Sequence, residues 1–530
     1  MRTRTPAPAH PNTDIIGIAA ARPRPDGVGH PTEPDWGVGR ERGCGIARFP
    51  RVERRWCLLA GIVLGVALGC GDGDMGAPDG RDQSPRCNGA DPCGLGREPG
   101  IAPLPSEVID GCEATPWAWT AGAREVRDAA SELFEQPVAA VEVEMEPSQW
   151  EEMNRRAVEL DIKAEYTKAR VKVDGEFVGE VGVRPKGHTT LRRCFDESGE
   201  RTCDKISYKL KFSEFWPSKR FRGLKRLNLH SSSRDDSMLR EYLAYGMFRR
   251  MGVPAPRVSH AELIVNGQHQ GVYVMVEEVD GRFLASRFPR NDDGNLYKDQ
   301  WPSGSSAELY SQRLQTNEET PDHAALMKFQ TQMESASDDR LPSTLARWMD
   351  MDLLRRHVTV DRAIANWDGP LSFRLLGPGA PERYANHNFF LYQDEHGDRF
   401  TLIPWDMDHA FKPWNRCCDD LPAWDDVSVD CETDGTRAYV ALDRNYLVPS
   451  CEPVVRALGL AGPGDAVERL LGGPFLLEGL RCAIADKVRE LESAVSRDPD
   501  RSVEHWLANV VALEDQVASL HAALAAGDER

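Results

Sequence analysis

The chain has 530 residues and carries 65 Lys and Arg against 84 Asp and Glu, a formal net charge of -19. General binding of nucleic acid requires a basic surface for the phosphates, so this charge balance argues against a nucleic-acid partner. The length is enough for two or three domains, or for one large domain with appendages.

The first 116 residues indicate export. Residues 1–47 are rich in Pro, Gly and Arg without periodicity, which predicts disorder or an extension from a wrong start site. A basic run followed by a short apolar stretch predicts a signal peptide at 48–70, because a membrane span needs about 20 apolar residues. It ends in ALGC, which resembles a bacterial lipobox with Cys70 as the lipidated residue, although Ala67 stands where Leu is preferred. Plain secretion and a retained membrane anchor are the alternatives, and 71–116 is predicted to be a flexible tether.

The remaining cysteines are interpreted in the light of export. Ten cysteines follow Cys70, and an even number in an oxidising compartment favours disulfides over zinc. We predict that Cys194 bonds to Cys203. Cys417 and Cys418 are adjacent and cannot easily bond to each other. Each is expected to find its partner among three later cysteines: Cys431, Cys451 and Cys482.

The first half of the ordered chain is predicted to be rich in β-structure. Strands are expected at 138–145, 166–173, 176–183, 206–212, 224–229, 261–265 and 271–276. Asp174-Gly175 and Asn266-Gly267 are two-residue hairpin signals. Helices are predicted at 146–160 and 235–251. The charged segment that begins at Arg184 is expected to interrupt the strand pattern.

The second half is predicted to be mainly helical. Helices are expected at 321–335, 341–348 and 352–366, followed by strands at 388–392 and 400–403. An irregular Cys-rich segment is predicted at 413–463. Two amphipathic helices, at 465–496 and 502–526, are expected to form a hairpin within the C-terminal region 464–530.

Two acids follow the apolar strand 400–403, at the point where Pro404 ends it. Asp406 and Asp408 are two residues apart and share a face of an extended segment. Neighbouring anions are costly unless a cation lies between them. Carboxylate oxygens are the ligands that suit Mg²⁺ or Mn²⁺ bound together with a phosphate. The pair therefore predicts a metal–phosphate site, with a solvated acidic turn as the alternative.

The order of elements predicts an α+β, atypical protein-kinase-like bilobal fold. A β-rich N-lobe with one helix, at about 138–300, would precede a mainly helical C-lobe at about 301–412, both within a domain at 117–412. A C-terminal helical hairpin would follow. No G-x-G-x-x-G string directly precedes the strand lysines, and the sequence contains neither H-R-D nor D-F-G.

Several ordered motifs add a specific resemblance. They include RPKGHT at 184–189, YKLKF at 208–212, RLNLHS at 226–231, NWDG at 366–369 and IPWDMD at 403–408. Over 138–411 the chain resembles the CotH (spore coat protein H) kinase family. The resemblance implies an exported atypical kinase that uses ATP and Mg²⁺ or Mn²⁺ to phosphorylate Ser or Thr of envelope or surface proteins.

The resemblance also implies roles for individual residues. Asp368 would be the catalytic acid, with a helix-stop turn as its structural alternative. The metal would be held by Asp406, Asp408 and Asn388. ATP would be bound by Arg184 and Lys186, by Lys209 or Lys211 with Glu241 as their helix partner, and by the backbone around Glu277 and Glu278.

Two other functions remain open at this point. The same chain could be a non-catalytic surface adhesin or structural envelope protein. It could also transfer an adenylyl group or ligate an amino acid, because a metal–phosphate site does not fix which group moves.

Overall fold

The computed structural model describes residues 127–527 except 160–164, 188–190, 192–193, 197–201, 204, 304–305, 378–379, 381, 383, 396–398, 413–423, 434, 440–443 and 463. The predicted N-terminal extension, signal peptide and tether, with Cys70, lie outside the described residues. So do Cys417 and Cys418.

Seven strands of the described part close into a barrel. They are β1 (Val138–Glu144), β2 (Thr167–Val173), β3 (Glu176–Lys186), β4 (Ser207–Lys211), β5 (Arg226–His230), β6 (Val258–Val265) and β7 (Gln268–Glu277). Their order around the barrel is β1-β2-β3-β4-β5-β7-β6. Neighbours are antiparallel except β1 and β6, which pair in parallel from Val138 opposite His260 to Val143 opposite Val265 and so close the barrel.

Alternate residues of each strand fill the barrel. On β4, Tyr208 and Leu210 are buried, and on β5 Leu227 and Leu229 are buried. All four belong to one apolar core inside the barrel. Because side chains alternate across a strand, the residues between them lie on the outer face. The polar residues of β3, β4 and β5 are therefore carried on the outside of the barrel.

The helices of the described part surround this barrel and extend away from it. They are α1 (Ser131–Glu135), α2 (Pro147–Glu159), α3 (Arg240–Arg250), α4 (Gly281–Arg287), α5 (Ala307–Arg313), α6 (Ala324–Ser335), α7 (Leu341–Trp348), α8 (Met351–Ala363), α9 (Pro453–Leu460), α10 (Ala466–Leu471), α11 (Leu477–Val495) and α12 (Val503–Ala525). A 3₁₀ turn at Pro449–Cys451 precedes α9.

The remaining strands of the described part form two smaller sheets. They are β8 (Asn295–Lys298), β9 (Arg374–Leu375), β10 (Tyr384–Ala385), β11 (Phe389–Gln393), β12 (Phe400–Pro404), β13 (Thr436–Tyr439) and β14 (Arg444–Leu447). One sheet has the order β12-β11-β8 and the other β10-β9-β14-β13. Together with α6, α7 and α9 they enclose an apolar core separate from the barrel.

Helix α3 is buried on all sides, which is the property of a helix at the centre of a fold rather than at its surface. Every residue from Arg240 to Arg249 is buried. One core joins α3 to the outer barrel face at Val274 and Val276, to α8, and to α11 and α12. The C-terminal helices are thus part of the main core.

The predicted kinase-like bilobal fold is wrong. The strands of the first half close on themselves as a barrel instead of forming an open β lobe. The closing step is the parallel pairing of β1 with β6, which removes the free sheet edges. In addition, α11 and α12 pack against the barrel and α3 through a shared apolar core instead of forming an appendage.

Two disulfides are described. Cys194 bonds to Cys203, which confirms the predicted pair. Cys431 bonds to Cys451, and Cys482 is also disulfide-bonded. The prediction that Cys417 and Cys418 both take partners among these three is wrong, because two of the three bond to each other. Each helix in the described part of the chain is too short or too polar to span a bilayer.

Candidate functional site

A row of polar side chains crosses the outer face of the barrel. Arg184 lies opposite Lys209 on the neighbouring strand, and Lys209 lies opposite Asn228. Lys186 and His230 come two residues after Arg184 and Asn228, so strand alternation places them on the same outer face. The prediction that Arg184 interrupts the strand is wrong, because β3 continues to Lys186. We refer to this row as the basic wall.

Lys209 is held in a partly buried ion pair with Glu278. Its Nζ lies 2.6 Å from Glu278 Oε1, and each side chain is 14% exposed. The amide of Asn228 donates to Glu278 Oε2 at 2.8 Å. Burial alone would raise the pKa of Glu278, but the Lys209 ammonium and these hydrogen bonds outweigh it and hold the pKa at about 2. Glu278 therefore stays ionised and fixes Lys209 in position.

Lys186 is linked to helix α3 through His230. The Lys186 ammonium contacts Nε2 of His230, and His230 Nδ1 lies 2.7 Å from Glu241 Oε2. Lys186 Nζ also lies 5.2 Å from the centre of the Trp405 ring. Burial, followed by the charge of Lys209, lowers the pKa of Lys186 to about 8. Lys186 thus carries its charge at the border between the barrel and the acids opposite.

The acids are carried on the segment that follows β12, residues 405–411, which we call the acidic loop. The backbone N–H of Asp406 donates to the Tyr245 hydroxyl at 2.8 Å. The carbonyl of Ala410 accepts from Arg240 Nη1 at 2.7 Å. The N–H of Phe411 donates to the carbonyl of Ile364 at 2.6 Å. The loop is therefore tied to α3 and to the end of α8.

Asp406 adopts a backbone conformation that few residues other than glycine adopt. Its φ is +57°, in the left-handed region, where an L-residue is sterically strained. Such strain persists only where the surroundings enforce it, and it is concentrated at functional sites. Asp406, Glu241 and His230 each offer a ligand atom, and these atoms lie within 4.8 Å of one another.

The carboxyl groups around Asp406 raise one another's pKa values. Burial and then the charge of Asp406 raise the pKa of Glu241 well above its usual value. Burial, and then Asp406, Glu241 and Asp368 in that order, raise the pKa of Asp408 in the same way. Glu241 is 2% exposed, and its Oε1 has no hydrogen-bond partner among the described residues.

These residues fit a divalent cation. A buried carboxylate oxygen without a hydrogen-bond partner and raised pKa values of neighbouring acids are typical of a site that binds a positive ion. Glu241, Asp406 and Asp408 supply hard oxygen donors of the kind that Mg²⁺ and Mn²⁺ prefer. Glu241 and Asp406, whose ligand atoms lie within 4.8 Å of each other, would hold the ion, and Asp408 would be a further ligand.

Asp368 lies at the edge of the same group of acids. Its Oδ1 is 2.9 Å from Nε2 of His387. The amide of Asn388 donates to Asp368 Oδ2 at 3.1 Å and to its carbonyl at 2.9 Å. The side chain of Asp368 is 24% exposed, so its carboxylate is open to solvent on one side. The structure places the amide of Asn388 on Asp368, where it orients that acid.

Three other predicted site residues have different surroundings. Lys211 pairs with Glu214 at 2.5 Å. Glu277 is buried between Arg257 at 2.5 Å and Arg287 at 2.7 Å, away from Glu278, because successive residues of an extended chain point in opposite directions. Arg184 stacks over Tyr166 at 5.1 Å from the ring centre.

The predicted pairing of Glu241 with Lys209 or Lys211 is wrong. Glu241 contacts His230 instead. The reason is the order of strands: Lys209 and Lys211 lie on β4, whereas His230, which contacts Glu241, lies on the next strand, β5.

Sequence reasoning missed His230, Asn228, Tyr245 and His387. A signal for the first three was available. Asn228 lies on the predicted strand 224–229 and His230 follows it by two residues, so the two share a face of an extended chain. Tyr245 follows Glu241 by four residues, which places both on one face of a helix. His387 reaches Asp368 across 19 positions of the chain, and the local sequence carries no signal of this contact.

Comparison with known proteins gives the following. The family model described as CotH kinase protein matches residues 183–521. "Inner spore coat protein H" of Bacillus subtilis (strain 168) is 26% identical over 213 residues, covering 38% of this chain and 53% of the relative. "Inner spore coat protein H-like protein" of the same organism is 31% identical over 120 residues, covering 23% and 34%. The chain thus spans about half the length of the first relative and about a third of the second.

Proposed function

Because this chain belongs to the CotH kinase protein family, we propose that it transfers the terminal phosphoryl group of ATP to Ser or Thr hydroxyls of exported or surface proteins. The reaction would use Mg²⁺ or Mn²⁺. The protein would act in the cell envelope, held to a membrane through a lipid on Cys70, without a nucleic-acid partner.

One observation carries this proposal. The buried acid Glu241 and the half-buried acid Asp406 lie close enough to Lys186 to act on its charge, and His230 links Lys186 to Glu241. Phosphoryl transfer consists mostly of positioning and of charge stabilisation at the phosphate oxygens. A site that combines cationic side chains with carboxylates, one of which has an oxygen without a hydrogen-bond partner among the described residues, supplies both requirements.

The side chains divide the work as follows. Lys186 and Lys209 would bind phosphate oxygens, and the ion pair with Glu278 keeps Lys209 in place. Asp368 would accept the proton of the substrate hydroxyl, with Asn388 orienting its carboxylate. A divalent cation, when bound, neutralises developing negative charge on the phosphate oxygens. Trp405 is 5% exposed and shields one side of Lys186 from water.

The test is transfer of labelled phosphate from ATP, with Mg²⁺ or Mn²⁺, to the chain itself and to a Ser-rich acceptor protein. We expect transfer by the wild type, and a loss of at least about 100-fold in Asp406→Asn and in Asp368→Asn, the scale of a removed acid–base group. Lys211→Gln is the matched control, since Lys211 pairs with Glu214 outside the acid group. Absence of transfer with both metals would refute the proposal.

A non-catalytic structural role is the second candidate, favoured by the names of the relatives, which describe spore coat proteins. It predicts that an Asp368→Ala, Asp406→Ala double variant retains the cellular function of the wild type.

Intact-mass measurement of a modified acceptor separates phosphoryl transfer from adenylyl transfer, because the mass of the added group differs.

A further inference from the structure

We propose that His230 is a positioning residue that joins Lys186 to Glu241, fixing the phosphate-binding ammonium group and a candidate metal-binding carboxylate in one geometry. The inference rests on the proposed function for the identity of the nucleotide. The contacts of His230 with Lys186 and Glu241 are a property of the protein alone, so this part of the inference does not depend on the proposed function.

The bridge uses both ring nitrogens of His230. Nε2 contacts the Lys186 ammonium, and Nδ1 lies 2.7 Å from Glu241 Oε2. The imidazole is 6% exposed, and its edge packs against Trp405 at 6.1 Å between ring centres with an angle of 89°. The ring is therefore held by contacts on both polar atoms and on its apolar surface, so it has one orientation.

The direction of the hydrogen bonds follows from the partners. An ammonium group has only donors, so Nε2 must accept from Lys186. A neutral imidazole then carries its single proton on Nδ1, and this N–H donates to Glu241. Lys209, Glu278 and Asp406 are the other charged groups that act on the ring.

Because the imidazole lies between Lys186 and Glu241, each of them keeps polar groups for binding a ligand. A direct ion pair between Lys186 and Glu241 would occupy both charges with each other. With His230 between them, Glu241 gives Oε2 to the histidine, and Oε1 accepts no hydrogen bond from any described residue. Lys186 likewise gives one of its three N–H bonds to the histidine and keeps two for phosphate oxygens. His230 itself would have to release a partner in order to bind a metal.

The first test is spectroscopic and needs no turnover. The full chain is labelled with ¹⁵N-histidine, and long-range ¹H–¹⁵N spectra are recorded with and without Mg²⁺, the His230 signals being assigned from the His230→Gln variant. We expect a neutral ring with the proton on Nδ1 in both conditions. A proton on Nε2, or nitrogen shifts on addition of Mg²⁺ that indicate direct coordination, would overturn the inference.

The second test measures ATP affinity by calorimetry in the presence of Mg²⁺. His230→Leu removes both hydrogen bonds, and we expect it to weaken ATP binding about tenfold, the scale of a lost hydrogen bond to a charged group. His230→Gln retains one acceptor and one donor and should bind ATP within about threefold of the wild type. Equal affinities of wild type and His230→Leu, in a variant that remains folded by circular dichroism, would refute positioning.

The two tests also separate this inference from the proposed function. If the wild type transfers no phosphate, the proposed function fails, while the spectra and the ATP affinities still decide whether His230 is a bridge. If the wild type transfers phosphate and His230→Leu binds ATP normally, the bridge fails and the kinase assignment stands.

Discussion

At the scale of single residues, neighbours in the sequence can have different contacts and different roles. Glu277 and Glu278 were predicted to lie together at the nucleotide, but only Glu278 reaches the basic wall. Glu277 is enclosed by Arg257 and Arg287 in a buried cluster. The position of Asp406 and Asp408 directly after an apolar strand, by contrast, was predicted correctly, because Pro404 marks the end of that strand. In both cases the sequence predicted that side chains alternate in direction along the strand. It did not predict at which residue this alternation ends.

Glu277 gives a prediction about stability and pH. Burial alone would raise its pKa, but Arg257 and then Arg287 outweigh burial and lower the pKa from 4.5 to about 2. A carboxyl with a lowered pKa stabilises the fold above its unfolded-state pKa, and this stability is lost as pH falls through the folded-state value. Glu277→Gln should therefore cost about 3 kcal/mol or more at pH 7, as for a broken buried ion pair, and clearly less near pH 2.

The measurement is urea denaturation of both chains at several pH values. Glu152→Gln is the control, since Glu152 pairs with Arg155 on the exposed surface of α2 and such pairs contribute little. A difference between wild type and Glu277→Gln that is the same at every pH would contradict the charged state assigned to Glu277.

At the scale of elements, hairpin signals were reliable, but element ends were not, and the segment 413–463, predicted to be irregular, contains β13, β14 and α9. The Asp174-Gly175 turn was predicted and joins β2 to β3. The helix predicted at 465–496 is divided into α10 and α11, because Gly472, Gly473 and Pro474 interrupt it. Strand β3 extends three residues beyond its predicted end, and those residues include Arg184 and Lys186.

The contact between β7 and the turn after α11 is an element-scale feature that the sequence did not predict. Asp498 accepts from the N–H of Val272 at 2.9 Å and lies 2.5 Å from Lys205 Nζ, with both side chains buried. Gly271, with φ of +98°, leaves room for this carboxylate: a Cβ there would lie 2.6 Å from Asp498 Oδ2. The glycine thus allows the C-terminal helices to dock on the barrel.

Gly271→Ala should destabilise the protein more than Gly267→Ala. Both glycines have positive φ, at +98° and +79°, but a Cβ at Gly267 meets nothing within 4 Å. Gly267→Ala therefore reports backbone strain alone, about 1 kcal/mol. Gly271→Ala adds a clash with a buried carboxylate, which we expect to cost a further 1–3 kcal/mol, approximately the cost of overpacking. Equal midpoints of urea denaturation for the two variants would contradict the docking contact.

At the scale of the whole molecule, the sequence predicted the order of elements but not their arrangement. Pairing of β1 with β6 joins segments more than 100 residues apart, and no local pattern encodes such a contact. The position of α11 and α12 against α3 and the barrel likewise depends on complementary apolar faces. The predicted bilobal fold failed on these two non-local contacts, while the acids and lysines still meet because β3, α3 and the acidic loop are adjacent in the actual fold.

The central claim is that the basic wall and the acidic loop form one site for a nucleotide and a divalent cation. The most direct measurement is calorimetric titration of the chain with ATP, with Mn²⁺ present and with Mn²⁺ removed by a chelator. The account predicts ATP binding that depends on Mn²⁺ and that is weakened at least about tenfold by Asp406→Asn, the smallest effect expected for a lost metal ligand. ATP binding of equal strength without metal, or unchanged in Asp406→Asn, would contradict it.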